Sequence, residues 1–394
     1  MTALNLERRI RVNVIGRSHE FFAVVQPGFE ETSRREIEGL GVPGGGVPQV
    51  GGVSFSGRLD LLYRVSALTR TISRLLMRLG DWKVDGYAAI GRRAGEFPWE
   101  LHLRPGTVPR WHVTVSSSYC HHQDRIAGEL TAGVRKRWAS LGVPAALDMA
   151  GAEAQTVFVR LDHDRMAWSL DATGELLYRR GAGKWVSAAP LRETLAAAIL
   201  AEAGLDEVGV LVDPMAGAGT FSLEAACSAA GIVPGRGRSF AFESWPSFRP
   251  AAWQHLLAHL GPPGLPRLRR IVCRDLDHRA LAAVRHNLEA FGVQARVEVA
   301  EADFFTASSP VEPGRRGLVV LNPPFGRRLD PGETRSFYRR LGRRLLTEYA
   351  DCSWAVLVPG LELEKALGIP HQRKIPFRFG GLGVALLVRR PAEA

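Results

Sequence analysis

The sequence predicts an α/β protein. Its second half reads as a doubly wound, mostly parallel sheet with a C-terminal antiparallel hairpin, and its first half as smaller α+β modules. Three observations carry this. Short apolar runs alternate with helical patterns from Val208 onward. Four consecutive runs end in an acidic or amide residue: Asp213, Asp275, Asp303 and Asn322. Before about residue 170 short strand and helix patterns alternate, which suggests small α+β modules.

The front half opens with a strand at Phe21–Val25, turned by Pro27 and Gly28 into a helix over Glu30–Leu40 whose start is acidic. A glycine-rich loop from Gly41 leads to a strand at Gly52–Phe55. Residues 58–79 predict one long helix, since Leu61, Leu62, Val65, Leu68, Ile72, Leu75 and Leu76 share a face at helical spacing. Arg64, Arg70, Arg74 and Arg78 fall mostly off that face and read as solvated. Trp111–Ser116 alternates like a half-buried strand, Gln123–Trp138 is a basic helix, and 155–160 and 165–170 form two strands around a turn. The glycine, basic and aromatic mixture at Tyr178–Trp185 reads as a linker, which puts the main domain boundary near 170–185.

The back half continues with helix Thr194–Ala203 and strand Val208–Val212. Helix Phe221–Ala230, strand Arg270–Cys273, helix Arg279–Phe291 and strand Arg296–Val299 follow. The run Gly317–Leu321, helix Thr334–Glu348 and a buried run at Trp354–Val358 come next. Lys374–Phe379 and Val384–Val388 close the chain as a hairpin.

A length of 394 residues fits two or three domains, and 46% apolar with 23% charged residues is enough for sizeable cores. The net charge of +11 points to an acidic partner, nucleic acid first. The excess is spread along the chain: residues 1–190 carry 25 basic against 19 acidic residues, and 191–394 carry 26 against 21. That suits a large polyanion gripped by several domains. Cys120, Cys227, Cys273 and Cys352 lack paired spacing and read as reduced thiols. Cys120-His121-His122 reads as a surface loop, because three adjacent residues converge on one ion only with strain; no metal is expected. No apolar run reaches membrane-spanning length and Met1–Val14 is not a signal peptide, so a cytoplasmic location without membrane contact is expected.

Asn322-Pro323-Pro324-Phe325-Gly326 carries the most specific chemistry. With four Asn, 24 Pro and 8% aromatics, the chance of Asn-Pro-Pro-aromatic is roughly one in a thousand. Two prolines remove two backbone donors, leaving the Asn side-chain oxygen and nearby carbonyls as unopposed acceptors. An aromatic ring follows, so the set suits a planar base gripped by its exocyclic amine and stacked on a ring.

Ligands of such sheets bind at the carboxyl ends of the strands, near the switch point. Asp213-Pro214-Met215-Ala216-Gly217-Ala218-Gly219-Thr220 offers glycines that let backbone approach a ligand, and then a helix N-terminus. The third glycine of a dinucleotide fingerprint is Ser222 here, and no P-loop lysine is present, which disfavours a nicotinamide oxidoreductase. Asp275, with Asp277, suits a ribose diol. Asp303 and Phe304 suit an adenine amine and ring.

These motifs, in this order, resemble the S-adenosylmethionine-dependent RNA guanine-N2 methyltransferases with a THUMP domain. The bacterial 23S rRNA members are the closest likeness, and tRNA members share most motifs. Gly51-Gly52-Val53-Ser54-Phe55-Ser56-Gly57 and the Tyr63–Leu76 segment are similar to the family's entry into THUMP. Arg180-Gly181 and Ala189–Glu193 are similar to its linker and to the start of its catalytic domain. The resemblance runs from about Phe21 to Val388. Phe325 stands where many members have Tyr, which keeps a stacking ring without a phenol, and Gly181–Trp185 departs from the commoner Gly-aromatic-Arg run.

The resemblance implies a ferredoxin-like region over 1–65, THUMP over 66–170, a linker over 171–190 and a Rossmann-like methyltransferase domain over 191–394. It implies a monomer acting on 23S rRNA or tRNA. S-adenosylmethionine would meet Asp213, Pro214, Ala216, Gly217, Gly219, Thr220, Asp275, Leu276, Asp303, Phe304 and Asn322. Asn322, Pro323 and Phe325 would be catalytic: acceptors on N2 aim its lone pair at the methyl, and no strong general base is required. Duplex geometry hides N2, so the base must be flipped or unpaired. A DNA adenine-N6 or cytosine-N4 methyltransferase could use the same grip, and the THUMP-like front half favours RNA. A non-catalytic RNA-binding module is the remaining alternative, and the intact strand-end set argues against it.

Overall fold

The computed structural model describes residues 3–145, 155–180, 191–261, 264–324 and 331–391. The chain divides into two units, each built on a seven-stranded sheet. The first unit comprises Met1–Val24, Glu36–Leu177 and Gly237–Leu260; the second comprises Val25–Arg35, Tyr178–Arg236 and Gly261–Ala394.

In the first unit the strands are β1 (His19–Val24), β2 (Val47–Gln49), β3 (Gly52–Gly57), β4 (Arg74–Lys83), β5 (Arg110–Ser116), β6 (Thr156–Asp162) and β7 (Arg165–Asp171). They lie in the order β2-β3-β1-β4-β7-β6-β5, antiparallel except for β5 beside β6. Phe21 and Ala23 of β1 oppose Met77 and Leu75 of β4 on the buried face. Helices Tyr87–Glu96 and Gln123–Ser140 approach closely at glycine: a Cβ on Gly133 would lie 2.5 Å from the Gly91 carbonyl oxygen.

One expectation fails here. Residues 58–79 are not one helix: the helix is Leu59–Leu68, and β4 begins at Arg74. The break is pinned by the Glu36 carboxylate, which accepts from the Thr69 and Thr71 hydroxyls at 2.8 and 2.5 Å and from the Arg70 and Thr71 amides at 2.6 and 3.1 Å. Two arginines read as solvated are instead folded onto the sheet. Arg74 lies over the Phe158 ring and pairs with buried Asp171; Arg78 lies over Phe22 and donates to Ser169.

The segment Gly237–Leu260, which follows the loop and helix after Asp213 in sequence, packs into the first unit. Tyr63 meets Phe242, Phe248 and Trp253 at centroid distances of 4.7, 6.0 and 5.8 Å, and helix Pro250–His259 lies against helix Leu59–Leu68. Arg104 Nε donates to the Ser244 carbonyl, and the Phe242 amide donates to the Ala172 carbonyl.

The second unit holds β8 (Val210–Asp213), β9 (Arg270–Asp275), β10 (Val297–Glu301), β11 (Gly317–Leu321), β12 (Ser353–Pro359), β13 (Arg373–Phe379) and β14 (Leu382–Arg389). The order is β10-β9-β8-β11-β12-β14-β13, with the first five parallel and β14 antiparallel to both its neighbours, β12 and β13. The doubly wound sheet and terminal hairpin expected from the sequence are present. Alternate residues of the central strands feed two cores. Leu211, Ile271, Leu318 and Leu357 enter one, while Val212, Val319, Val356 and Val358 enter the other. Burial on both faces is what near-continuous apolar runs encode. The segment Val25–Arg35 belongs here because buried Glu202 accepts from Thr32 at 2.5 Å and pairs with Arg35 and Arg373. The four cysteines are free and buried. No helix among the described residues is long and apolar enough to cross a membrane.

Candidate active site

The strand order reverses between β8 and β11: the chain moves outward through β9 and β10, then returns to lay β11 on the other side of β8. Loops leaving the carboxyl ends of these two strands therefore diverge, and a crevice opens between them. A cavity of about 710 Å³ sits there, lined by segments 214–218, 275–277, 302–305 and 322–324, by Thr220 and Phe221, by Phe337, and by the hairpin residues Phe379, Gly380 and Leu382.

The loop after β8 is held in shape by its own hydrogen bonds. Ala216 donates to the Arg274 carbonyl at 3.0 Å, and Gly217 donates to Asp275 Oδ2 at 2.8 Å. Gly217 has φ +53°, and a Cβ there would meet nothing within 4 Å, so its backbone is open to the cavity. Gly219 has a different task. Its φ is +71°, and a Cβ would lie 2.8 Å from Val284, so it permits the helix Thr220–Ala229 to start against helix His278–Ala290. The helix N-terminus at Thr220 borders the cavity and favours negative charge. The same helix is anchored by a buried ion pair, with Arg180 Nε 3.1 Å from Glu224 Oε1.

Asp213 stands behind the wall. It is 1% exposed, and its Oδ2 accepts from the Ser222 hydroxyl and amide at 2.8 and 3.3 Å, which ties β8 to the helix. Its Oδ1 has no partner among the described residues. Burial pushes its carboxyl up to about 7, against the lowering effect of the Ser222 bonds and with a further push from the charge of Asp275. Burial also pushes the neighbouring Cys273 thiol up. Asp275 lines the cavity and uses both oxygens on backbone, Oδ2 on Gly217 and Oδ1 on Asp277 at 2.9 Å. Each carboxylate oxygen still has acceptor capacity for a hydroxyl. Asp277 caps helix His278–Ala290 through the Arg279 amide, and Leu276 is 64% exposed at the rim.

Asp303 Oδ1 accepts from the Phe305 amide at 2.8 Å. Phe304 touches the cavity but is 4% exposed and stacks on Tyr349 at 5.6 Å, so its ring belongs largely to the core. Phe305, half-buried, is the more open ring. It meets Phe337 edge-on at 5.3 Å and carries the Arg340 guanidinium 4.2 Å above its centroid. Asn322, Pro323 and Pro324 complete the wall, and Asn322 Oδ1 is buried with no hydrogen-bond partner among the described residues. Phe325 lies outside the described residues, as do Gly326 and the linker residues Gly181–Trp185, Ala189 and Pro190.

The structure thus brings Pro214, Ala216, Gly217, Thr220, Asp275, Leu276, Asp303, Phe304, Asn322 and Pro323 to one cavity, while Asp213 and Gly219 support it from behind. Sequence reasoning missed Phe305, Phe337 and the hairpin tip. The doublet Phe304-Phe305 was one available signal, because a second ring beside the first offers another aromatic surface at the same strand end. The rest needed the topology.

Residues 180–386 match the family described as RMKL-like, methyltransferase domain, and residues 20–76 match the RlmL ferredoxin-like domain. The chain is 31% identical over 379 residues to the ribosomal RNA large subunit methyltransferase K/L of Syntrophotalea carbinolica, covering 93% of this chain and 53% of that protein. It is 27% identical to a candidate RNA methyltransferase of Synechocystis, covering 93% of this chain and 95% of that one. The chain spans about half the length of the K/L relatives it matches. Among solved structures, SMU.472, a candidate methyltransferase in complex with SAH, superposes with a TM-score of 0.83 at 22% identity. That match covers 96% of this chain and 99% of that one, and at such identity it speaks to the fold.

Proposed function

Because this chain belongs to the RMKL-like methyltransferase family, we propose that it methylates the exocyclic N2 of a guanosine in RNA, with large-subunit rRNA as substrate and S-adenosylmethionine as cofactor. The cavity fits that cofactor on its own features. Asp275 offers acceptors for a ribose diol, Gly217 offers open backbone, and the helix start at Thr220 favours a carboxylate. Asp303 has one carboxylate oxygen committed to the Phe305 amide, which leaves the other for an adenine amine, and the adjoining aromatic wall suits a planar ring. When bound, S-adenosylmethionine supplies an electrophilic methyl group on a sulfonium.

The observation that carries the reading is Asn322 Oδ1. A buried carbonyl oxygen without a partner costs about 1–3 kcal/mol; this one has none among the described residues and belongs to the cavity wall beside two prolines that cannot donate to it. An amine donor from the substrate would satisfy it. With Asn322 Oδ1 and the Pro323 carbonyl accepting both N2 protons, the guanine lone pair is turned out of the base plane, and rate enhancement comes from positioning. Phe325 is the proposed stacking partner for the base.

The rest of the reading goes with this one. The front half is proposed to be a ferredoxin-like region over 1–65 and a THUMP module over 66–170 that bind RNA, with a linker over 171–190 before the catalytic domain over 191–394. The protein is proposed to act as a cytoplasmic monomer without metal, and tRNA is the second substrate to test. The match to the RlmL ferredoxin-like domain and the positive charge of the front half support this reading. Incubation of the full chain with methyl-labelled S-adenosylmethionine and large-subunit rRNA or tRNA, followed by nucleoside mass spectrometry, tests it. N2-methylguanosine is expected. N6-methyladenosine or N4-methylcytidine would remove the guanine assignment and leave the fold intact.

A further inference from the structure

Helix Pro331–Thr347 contributes Phe337 to the cavity wall, and its sequence is unbalanced: five arginines against one glutamate. Its buried side carries Tyr338, Leu341 and Leu345. Arg335, Arg339, Arg340 and Arg343 are exposed and fan around the other side, Arg340 nearest the cavity. Some cations elsewhere in this unit have acidic partners, as in Arg270–Glu298, Lys374–Glu364 and Arg390–Glu207. Arg335, Arg339 and Arg343 have no ion pair among the described residues.

The arrangement works against the helix itself. Arg335 and Arg339, Arg339 and Arg343, and Arg340 and Arg344 are each like charges four residues apart, which destabilises a helix. A merely solvated face would mix signs. Charge repulsion of this kind is relieved by a polyanion laid across the fan. Planar guanidiniums with free donors match phosphate oxygens in pairs.

We propose that the exposed arginines of helix Pro331–Thr347 hold the phosphate backbone of the RNA strand that flanks the target base, with Arg340 on Phe305 marking where that strand enters the cavity. The inference rests on the guanine-N2 reading and adds the path of the strand, which nothing in the strand-end residues specifies. Phosphate contacts position without reading sequence, so this face sets register and affinity, and base choice stays with Asn322.

The test uses the full chain, an in vitro transcript of large-subunit rRNA, and equilibrium binding over a range of salt. The Arg335→Gln/Arg339→Gln/Arg343→Gln variant is expected to bind the transcript at least about tenfold more weakly at moderate salt. Its slope of log affinity against log salt should fall by about one for each phosphate no longer neutralised. The corresponding Arg→Lys triple variant should retain most of the slope, because a point charge still meets phosphate. Affinity for S-adenosylmethionine should not change in either, which checks folding. If the Gln triple does not fold, Arg339→Gln alone should lower the slope by about one. An unchanged affinity and slope in a folded Gln variant overturns the proposal and leaves an acidic protein as the occupant of this face. A wild-type chain that binds S-adenosylmethionine yet transfers no methyl to RNA overturns the functional reading, and this one with it.

Discussion

Asp213 and Asp275 end adjacent parallel strands, both follow apolar runs, and both lead into a loop and a helix. Their surroundings are opposite. Asp213 is sealed behind the wall, fastens Ser222 and keeps one oxygen unpartnered among the described residues; Asp275 faces the cavity and shapes the glycine loop. Register explains the difference. Asp213 pairs with Cys273, so Asp275 lies two residues further along the sheet; Glu301 pairs with Asp275, so Asp303 lies two residues further again. Depth along the strand, not residue type, separates a residue that supports the site from one that lines its cavity.

The glycine pair beside Asp213 gives the largest expected effect on the fold. Gly219→Val places a β-branched residue in the left-handed region and against Val284, so it should cost about 3–5 kcal/mol, read as a large drop in Tm with loss of cofactor binding. A variant with the wild-type Tm would mean that Gly219 is not the packing glycine. Asp275→Asn should keep the fold while S-adenosylmethionine affinity falls about ten- to a hundredfold by calorimetry, as expected for one hydrogen bond to a charged acceptor. Equal affinity would take the ribose away from Asp275.

Asp213 is distinguished by pH. Its folded carboxyl titrates near 7 against an ordinary value of 3.8, so the native state holds the proton more tightly than the unfolded chain. Stability from the neutral form is complete below about 4 and falls as pH rises toward 7, by up to about 4 kcal/mol. The ligand-free protein should therefore lose Tm between about pH 4 and pH 7, and Asp213→Asn should flatten that slope. A slope unchanged by the substitution would assign it elsewhere. The smallest effect belongs to Gly217→Ala, about 1 kcal/mol of stability, since φ +53° is strained for Ala but no atom opposes its Cβ.

Much of this was legible in the sequence. Strands buried on both faces write continuous apolar runs, and Gly317–Leu321 followed by Asn322-Pro323-Pro324 located both the central strand and the cavity edge. The assignment of Asp213 to the ligand was less secure, because inter-strand register is a tertiary property. The error at 58–79 has a similar origin. Arg70, Arg74 and Arg78 recur every four residues, a spacing that fits both a helix face and one side of a strand. What decides between them is the Glu36 carboxylate on the Thr69–Thr71 turn, and Glu36 is remote in sequence. The insertion after Arg236 was opaque because its aromatic partner, Tyr63, belongs to the front half of the sequence.

Asn322 tests the central claim most directly. Asn322→Ala should be compared with wild type for turnover on RNA, for S-adenosylmethionine affinity and for RNA affinity in one set of conditions. Turnover is expected to fall at least about a hundredfold, as misorientation at the reacting atom does, while both affinities stay near wild type. Full turnover by Asn322→Ala would contradict the account, because the buried Asn322 oxygen, unpartnered among the described residues, would then do nothing for the guanine amine.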